Sequence, residues 1–322
     1  MFNRTEKYIV YLNNETLVYM YMDYTGNRSY PVMKKLYSTL CDGFTSNWLV
    51  TPLSIDSIPH FIKDNRIDVK FLDMMNGIGN VQFLQRFTIK ILQLIRIINS
   101  YYDNTYKKPF WRDSFSGNPD EKYSAEFSKY SSMSAKNVYR LLEREKKNSQ
   151  ILEHLHSYKT GEMVKKVAQF HFFSLWEKSS DLISPYLPRI GSPETYMKEF
   201  LENDEIQDIP QFHILSSVFY PLLDTYGIEK VEAGLKDKEI IAAEMLSILM
   251  PYCHYYVTTA DIAELVIMKG FNYDYKVKVY DDNESSLYKL INDINEAHKL
   301  KSKMSKSPEK KRTDIKRGPS AF

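Results

Sequence analysis

The sequence predicts an α/β protein with a mostly parallel sheet and a large helical insertion. Short apolar runs of strand length, at residues 8–12 and 255–257, end at polar turns and are followed by helical periodicity. Between them lies a long stretch whose apolar residues recur mainly at helical spacing. Alternation of strand and helix in the first 60 or so residues is the pattern of a βαβ unit, whose crossover is nearly always right-handed.

The amino-terminal elements follow from this pattern. Residues 8–12 (Tyr-Ile-Val-Tyr-Leu) form a continuous apolar run that ends at Asn13-Asn14, which predicts a central strand covered on both faces. Helices are expected over residues 16–22 and 31–40. A second strand is expected over residues 48–54, with Ser54 capping a further helix.

The middle of the chain is predicted to be helical. The strongest helix pattern covers residues 81–102, and three more follow between residues 135 and 201. No clean linker separates this part from its surroundings, so we interpret residues 65–236 as an insertion or lid, rather than a free domain.

The carboxy-terminal part returns to the α/β pattern. A helix over residues 237–250 should stop at Pro251, and a short strand should follow. Thr258 or Thr259 can cap the next helix. An α/β sheet presents its site at the carboxyl ends of its strands, so we expect a functional group of polar residues here, namely His254, Thr258, Thr259 and Asp261. Residues 275–280 alternate strictly, as expected of an edge strand protected by its lysines, and a last helix covers residues 286–298.

Composition excludes several classes of protein. With 43% hydrophobic and 14% aromatic residues, the chain can bury a core. The 11 glycines form no phosphate loop, which argues against a Walker-type NTPase or a Rossmann enzyme. Two cysteines make neither a disulfide framework nor a zinc site. With no signal peptide and no apolar run of about 18 residues, we expect a cytoplasmic protein without membrane contact.

Charge is distributed unevenly. Residues 299–322 contain nine basic and two acidic side chains, so the rest of the chain carries a net charge of −5. We interpret this stretch as a basic, disordered tail that is solvated or binds phosphates.

Three pieces of the sequence resemble the PIN-like nuclease superfamily. They are the first strand with its Asn13-Asn14 turn, the Thr-Pro-Leu-Ser segment at residues 51–54, and the Pro-Tyr-Cys-His-Tyr-Tyr-Val-Thr-Thr-Ala-Asp segment at residues 251–261. The resemblance covers about residues 8–64 and 237–292. It implies a three-layer α/β/α sandwich whose PIN-like core comprises residues 1–64 and 237–298.

The resemblance also implies a function, namely cleavage of RNA or other single-stranded nucleic acid with Mg²⁺ or Mn²⁺. Hard cations need converging carboxylates. Three acids are available as metal ligands and catalytic groups: Asp56, Glu244 and Asp261. Asn13 stands where the family has an aspartate, and His254 stands where an acid commonly follows Pro-Tyr-Cys, so the acidic site is degenerate.

Each candidate also has a structural interpretation. Asn13 can close a turn, and His254 can be a hydrogen-bonded histidine at a strand start instead of a general base. Asp56 and Asp261 can be first-turn acids, Glu244 can face solvent, and Thr258 and Thr259 can be helix caps.

The leading hypothesis is therefore a PIN-like protein that acts on or binds nucleic acid, with a metal-dependent ribonuclease as its catalytic form. The rival hypothesis is a non-catalytic module that binds a protein partner through the helical insertion. A third is an unrelated α/β enzyme.

Overall fold

The computed structural model describes residues 7–54, 69–79, 82–83, 93, 211, 213–214, 217 and 238–306. The strands within these residues are β1 (Tyr8–Tyr11), β2 (Leu49–Val50), β3 (Leu53–Ser54), β4 (Gln82–Phe83), β5 (Tyr255–Thr258) and β6 (Lys278–Asp281). The helices are α1 (Asn14–Tyr24), α2 (Pro31–Thr45), α3 (Val69–Ile78), α4 (Lys238–Leu249), α5 (Ala260–Met268), α6 (Phe271–Asp274) and α7 (Glu284–Lys306). A single 3-10 turn, Met250–Tyr252, joins α4 to β5.

Four of these strands form a parallel sheet in the order β2-β1-β5-β6. In the register of this sheet, Tyr11 pairs with Tyr256, and Thr258 pairs with Asp281. The predicted parallel sheet is confirmed, and so are the central place of the first strand and the edge place of the last. We call the end of the sheet where these strands finish the carboxyl edge, and the opposite end the amino edge.

Alternate residues of β1 face two different hydrophobic cores. Ile9 and Tyr11 pack with Ile262 of α5 and with α4, whereas Val10 packs with α1, α2, α3 and α7. Helices therefore cover both faces of the sheet, which explains why β1 is apolar throughout instead of alternating with polar residues. Full burial of an aliphatic side chain such as Val10 contributes about 1.5–3 kcal/mol.

The segment predicted as one strand over residues 48–54 is two strands, and this prediction is corrected. β2 belongs to the main sheet, while β3 pairs in parallel with β4 in a second, two-stranded sheet. Pro52 lies between β2 and β3 and has no N–H to donate to a ladder, and the N–H of Thr51 donates to the carbonyl of Ile78 instead. The helix predicted from residue 81 is likewise wrong at Gln82–Phe83, which form β4.

Helix α3 lies in the sequence range interpreted as the insertion, yet it packs within the α/β core. Phe71, Met74 and Ile78 are fully buried in the same cluster as α1 and α2. Gly79 ends this helix against the sheet, because a Cβ there would lie 2.7 Å from the Thr51 amide nitrogen. Most of residues 84–236 lies outside the described residues, so the predicted helical insertion stays a prediction.

Helix α7 runs further than the sequence pattern indicated. It continues to Lys306, so residues 299–306 of the expected tail are helical. Leucine, methionine and lysine are good helix formers, and the first proline or glycine after residue 298 is Pro308. Among the described residues, no helix is both long and apolar enough to cross a lipid bilayer.

Candidate functional site

The carboxyl edge has a topological switch point between β1 and β5. These strands are neighbours, but the helix after β1 packs in one core and the helix after β5 packs in the other. Chain segments that leave adjacent strands toward opposite faces open a crevice, which is where α/β proteins usually bind ligands. The residues that follow β1, β5 and β6 are therefore the first candidates for a site.

Asn13 connects two sides of this crevice. Its backbone is extended at the N-cap of α1, and its side-chain Oδ1 accepts from the Thr16 amide at 3.1 Å and from the Thr16 hydroxyl at 2.6 Å. Its Nδ2 donates to Oδ2 of Asp282 at 3.0 Å. Asn13 therefore combines the predicted turn role with a contact between the ends of β1 and β6, which lie on either side of β5.

Asp282 is the residue that sequence reasoning missed. It follows β6 at the same edge, one position after Asp281, whose Oδ1 accepts from the amide of Asn283. The signal was present, because polar residues after the last strand belong to the carboxyl edge by the same rule that singled out Asn13.

The two threonines after Val257 lie at this edge as well. Thr258 is the last residue of β5 and is 2% exposed. Thr259 has the backbone position of the α5 N-cap, but its side chain makes no capping bond. Its Oγ1 is buried without a hydrogen-bond partner, as is Oδ1 of Asn14. Thr259 is thus a cap by position only.

The structure describes the side chain of only one of the three predicted acidic residues. Asp261 is exposed in the first turn of α5. Asp56 lies outside the described residues, and Glu244 lies on α4 with a side chain that is also outside them. Within the described part of the chain, no group of three or more His, Cys, Asp or Glu side chains could hold a metal ion. The Mg²⁺ or Mn²⁺ site stays a prediction.

His254 lies at the amino edge, and its grouping with Thr258 and Thr259 is corrected. Thr258 lies four positions after His254 along β5, which is about 13 Å of extended chain. The His254 amide donates to the Ile9 carbonyl at 2.9 Å, and the Ile9 amide donates to Nδ1 of His254 at 3.0 Å. The imidazole therefore adds a hydrogen bond to the pairing between the amino-terminal ends of β1 and β5.

This contact determines the protonation state of His254. Nδ1 accepts a hydrogen bond, so it carries no proton. Burial, with a smaller contribution from the positive charge of Lys301, lowers the pKa of His254 to about 4. At neutral pH the ring is uncharged, and its Nδ1 is occupied by the backbone.

Aromatic and basic side chains surround His254 at the amino edge. The Tyr8 ring lies 4.6 Å from the His254 ring and 5.5 Å from the Trp48 ring. Trp48 stacks on His298 of α7, with ring centroids 4.9 Å apart and an interplanar angle of 10°. The Nζ of Lys301 lies 5.9 Å from the centre of the Tyr8 ring. We call these five residues the amino-edge cluster.

Two lysines of α7 beside this cluster face solvent. Lys299 and Lys303 are exposed and one helical turn apart, whereas Lys301 turns toward Tyr8. Lys278 of β6 is different, because its Nζ pairs with Asp293 at 3.0 Å.

No protein-family model, curated protein or solved structure matches the chain. The resemblance to PIN-like nucleases therefore rests on the residues that carry it, and the site is interpreted from its own chemistry.

Proposed function

We propose that the chain is a PIN-like protein that binds single-stranded RNA through the basic end of α7 and the amino-edge cluster, without cleaving it. The observation that carries the proposal is the pair Lys299 and Lys303, displayed on a helix that the His298–Trp48 stack fixes to the sheet. The finer fold assignment, a PIN-like α/β/α sandwich, belongs to the same proposal. A parallel sheet with helices on both faces supports it.

The local charge favours a polyanionic partner. Between Glu296 and Glu309 the chain has four lysines and no acid, although the chain before residue 299 is acidic overall. Because α7 is helical through Lys306, the exposed Lys299 and Lys303 form a short basic track on a folded element, while Lys301 turns toward Tyr8. Proteins that bind single strands combine such a basic track with aromatic side chains, and Tyr8 is partly exposed beside Lys301.

The residues of the carboxyl edge support the second part of the proposal, that RNA is bound but not hydrolysed. Mg²⁺ or Mn²⁺ requires carboxylate oxygens with free lone pairs directed at the ion. After the first strand, Oδ1 of Asn13 accepts hydrogen bonds from Thr16, and its Nδ2–H donates a hydrogen bond to Asp282. An N–H donor repels a cation, so these described residues do not fit a divalent ion.

A salt titration of RNA binding tests the proposal. The probe is a fluorescein-labelled oligouridylate of about 20 nucleotides, longer than typical single-strand site sizes, and the readout is anisotropy in EDTA. Each lost contact between lysine and phosphate should reduce the slope of log Kobs against log salt by about 0.7. Lys299→Gln/Lys303→Gln should therefore lower the slope by about 1.4.

The matched control is Lys70→Gln/Lys289→Gln, which removes two exposed lysines from helices away from this end of α7. Its slope should equal that of the wild type. Equal losses in both variants would show only an effect of net charge, and would contradict the proposal. Mn²⁺-dependent cleavage of the probe that disappears in Asp261→Asn with Glu244→Gln would contradict its non-hydrolytic part.

A further inference from the structure

The contact between Asn13 and Asp282 has a consequence independent of RNA binding. It joins residues 269 positions apart, at the ends of strands β1 and β6, which are not neighbours in the sheet. Asn13 is 9% exposed, so the bond lies at the border between the core and solvent. A hydrogen bond to a charged acceptor in such a place is stronger than an ordinary neutral one.

An aspartate at position 13 would need a different partner. It would still accept from Thr16 and cap α1, because capping uses only Oδ1. Its second oxygen, however, would replace Nδ2 and face the Asp282 carboxylate at about the same distance as the present 3.0 Å contact. Two carboxylates this close cannot both stay ionised without a proton or a cation between them.

From this geometry we infer that the Asn13 side-chain N–H takes the place of a divalent cation between the ends of β1 and β6. The carboxyl edge is held together by an amide–carboxylate bond and needs no ion. The cation site implied by the resemblance is therefore replaced at this position, and one substitution is enough to restore a dependence on metal.

Thermal unfolding of the full chain tests this inference. The Tm of the wild type should be the same in EDTA and in millimolar Mg²⁺ or Mn²⁺. Asn13→Asp should lower the Tm in EDTA by about 2–4 °C, and Mn²⁺ should restore most of that loss. Isothermal titration with Mn²⁺ should show binding to Asn13→Asp that the wild type lacks.

Asn283 supplies a matched control on the same edge. Its Oδ1 accepts from the Ser286 amide and caps α7, as Asn13 caps α1. Asn283→Asp therefore adds the same charge at another cap and should produce no response to Mn²⁺. If Mn²⁺ raised the Tm of both variants equally, the effect would come from added negative charge at the surface in general, and the inference would be overturned.

If Asn13→Asp does not fold, a double variant that exchanges the two side chains still tests the inference. Asn13→Asp/Asp282→Asn places the carboxylate on β1 and the amide on β6, and should fold like the wild type without any ion. Failure of this double variant to fold, stabilisation of the wild type by Mn²⁺, or a Tm loss in Asn13→Asp that Mn²⁺ does not restore would each overturn the inference.

Discussion

The two edges of the sheet differ in charge and in what their polar groups contact. At the carboxyl edge, acidic residues such as Asp261 and Asp282 lie among neutral amides and hydroxyls. At the amino edge, aromatic rings lie beside lysines, and His254 is uncharged. Phosphates are repelled by the first surface and attracted by the second. The edge where such a fold usually places a ligand is thus not the edge whose charge better suits a phosphate-bearing ligand.

The edges also differ in the kind of buried polar atom that lacks a hydrogen-bond partner, since at the amino edge it is a donor, the Nε1–H of Trp48. At the amino edge, the Nδ1 of His254 and the Ile9 amide satisfy each other. At the carboxyl edge, Oγ1 of Thr259 and Oδ1 of Asn14 are buried without a hydrogen-bond partner. The bond between Nδ1 and the Ile9 amide indicates a structural role for His254, while unpaired acceptors leave the carboxyl edge capable of receiving a donor.

Acid should cause the largest loss of stability, because it protonates His254. Its pKa is 6.5 as a free side chain and about 4 in the folded protein. The unfolded chain therefore takes up the proton first as pH falls. The stabilising contribution of neutral His254 is complete above about pH 6.5 and is lost progressively toward pH 4. Since one pKa unit corresponds to about 1.4 kcal/mol, the free energy of unfolding should fall by up to about 3 kcal/mol in that window.

Urea unfolding at several pH values measures this loss, and His254→Asn is the matched variant. The asparagine oxygen can accept from the Ile9 amide in place of Nδ1, but it does not titrate. The difference in stability between wild type and variant should therefore shrink or reverse as the pH falls below 6.5. A difference independent of pH would contradict the role given to His254.

The stack of His298 on Trp48, which attaches α7 to the sheet, predicts a smaller loss of stability. His298→Ala removes the ring that stacks on Trp48, a contact worth about 0.5–1.5 kcal/mol beyond the buried area. Amide hydrogen exchange should speed up in residues 299–303, because the end of the helix loses its attachment, and RNA affinity should fall with it. Unchanged exchange in this segment would show that the stack does not hold the helix end. His298→Phe, which keeps a ring, should behave like the wild type.

Sequence patterns predicted most of the described strands and helices, but not the division of residues 48–54 between two sheets, and not the contacts between elements. The apolar run at residues 8–12 gave β1 and its central place because a strand with two covered faces has no polar positions. The alternation at residues 275–280 gave β6 and its edge place. The position of Asp282 after the last strand indicates the carboxyl edge, but its hydrogen bond with Asn13 could not be predicted, since 269 positions separate them and only the fold brings them together.

The errors in the candidate site have a physical cause too. His254 and Thr258 were grouped because they are close in sequence. In an extended strand, however, two residues four positions apart lie about 13 Å from each other, which here puts them at opposite edges of the sheet. The end of α7 was interpreted as a tail because its charge resembles a solvated segment. Packing of His298 on Trp48, which no local pattern reports, attaches it to the sheet.

Thr259→Val carries the smallest expected effect and tests the unpaired hydroxyl directly. Because Oγ1 is buried without a partner, replacing it by a methyl group of similar size removes no hydrogen bond and relieves a desolvated polar atom. The free energy of unfolding should stay within about 0.5 kcal/mol of the wild type or rise slightly. Thr16→Val is the matched control, since it removes a hydroxyl that donates to Asn13 at 2.6 Å and should destabilise by about 1 kcal/mol or more. Equal losses in the two variants would mean that the Thr259 hydroxyl is bonded in solution, and would contradict the presence of an unpaired acceptor at the carboxyl edge.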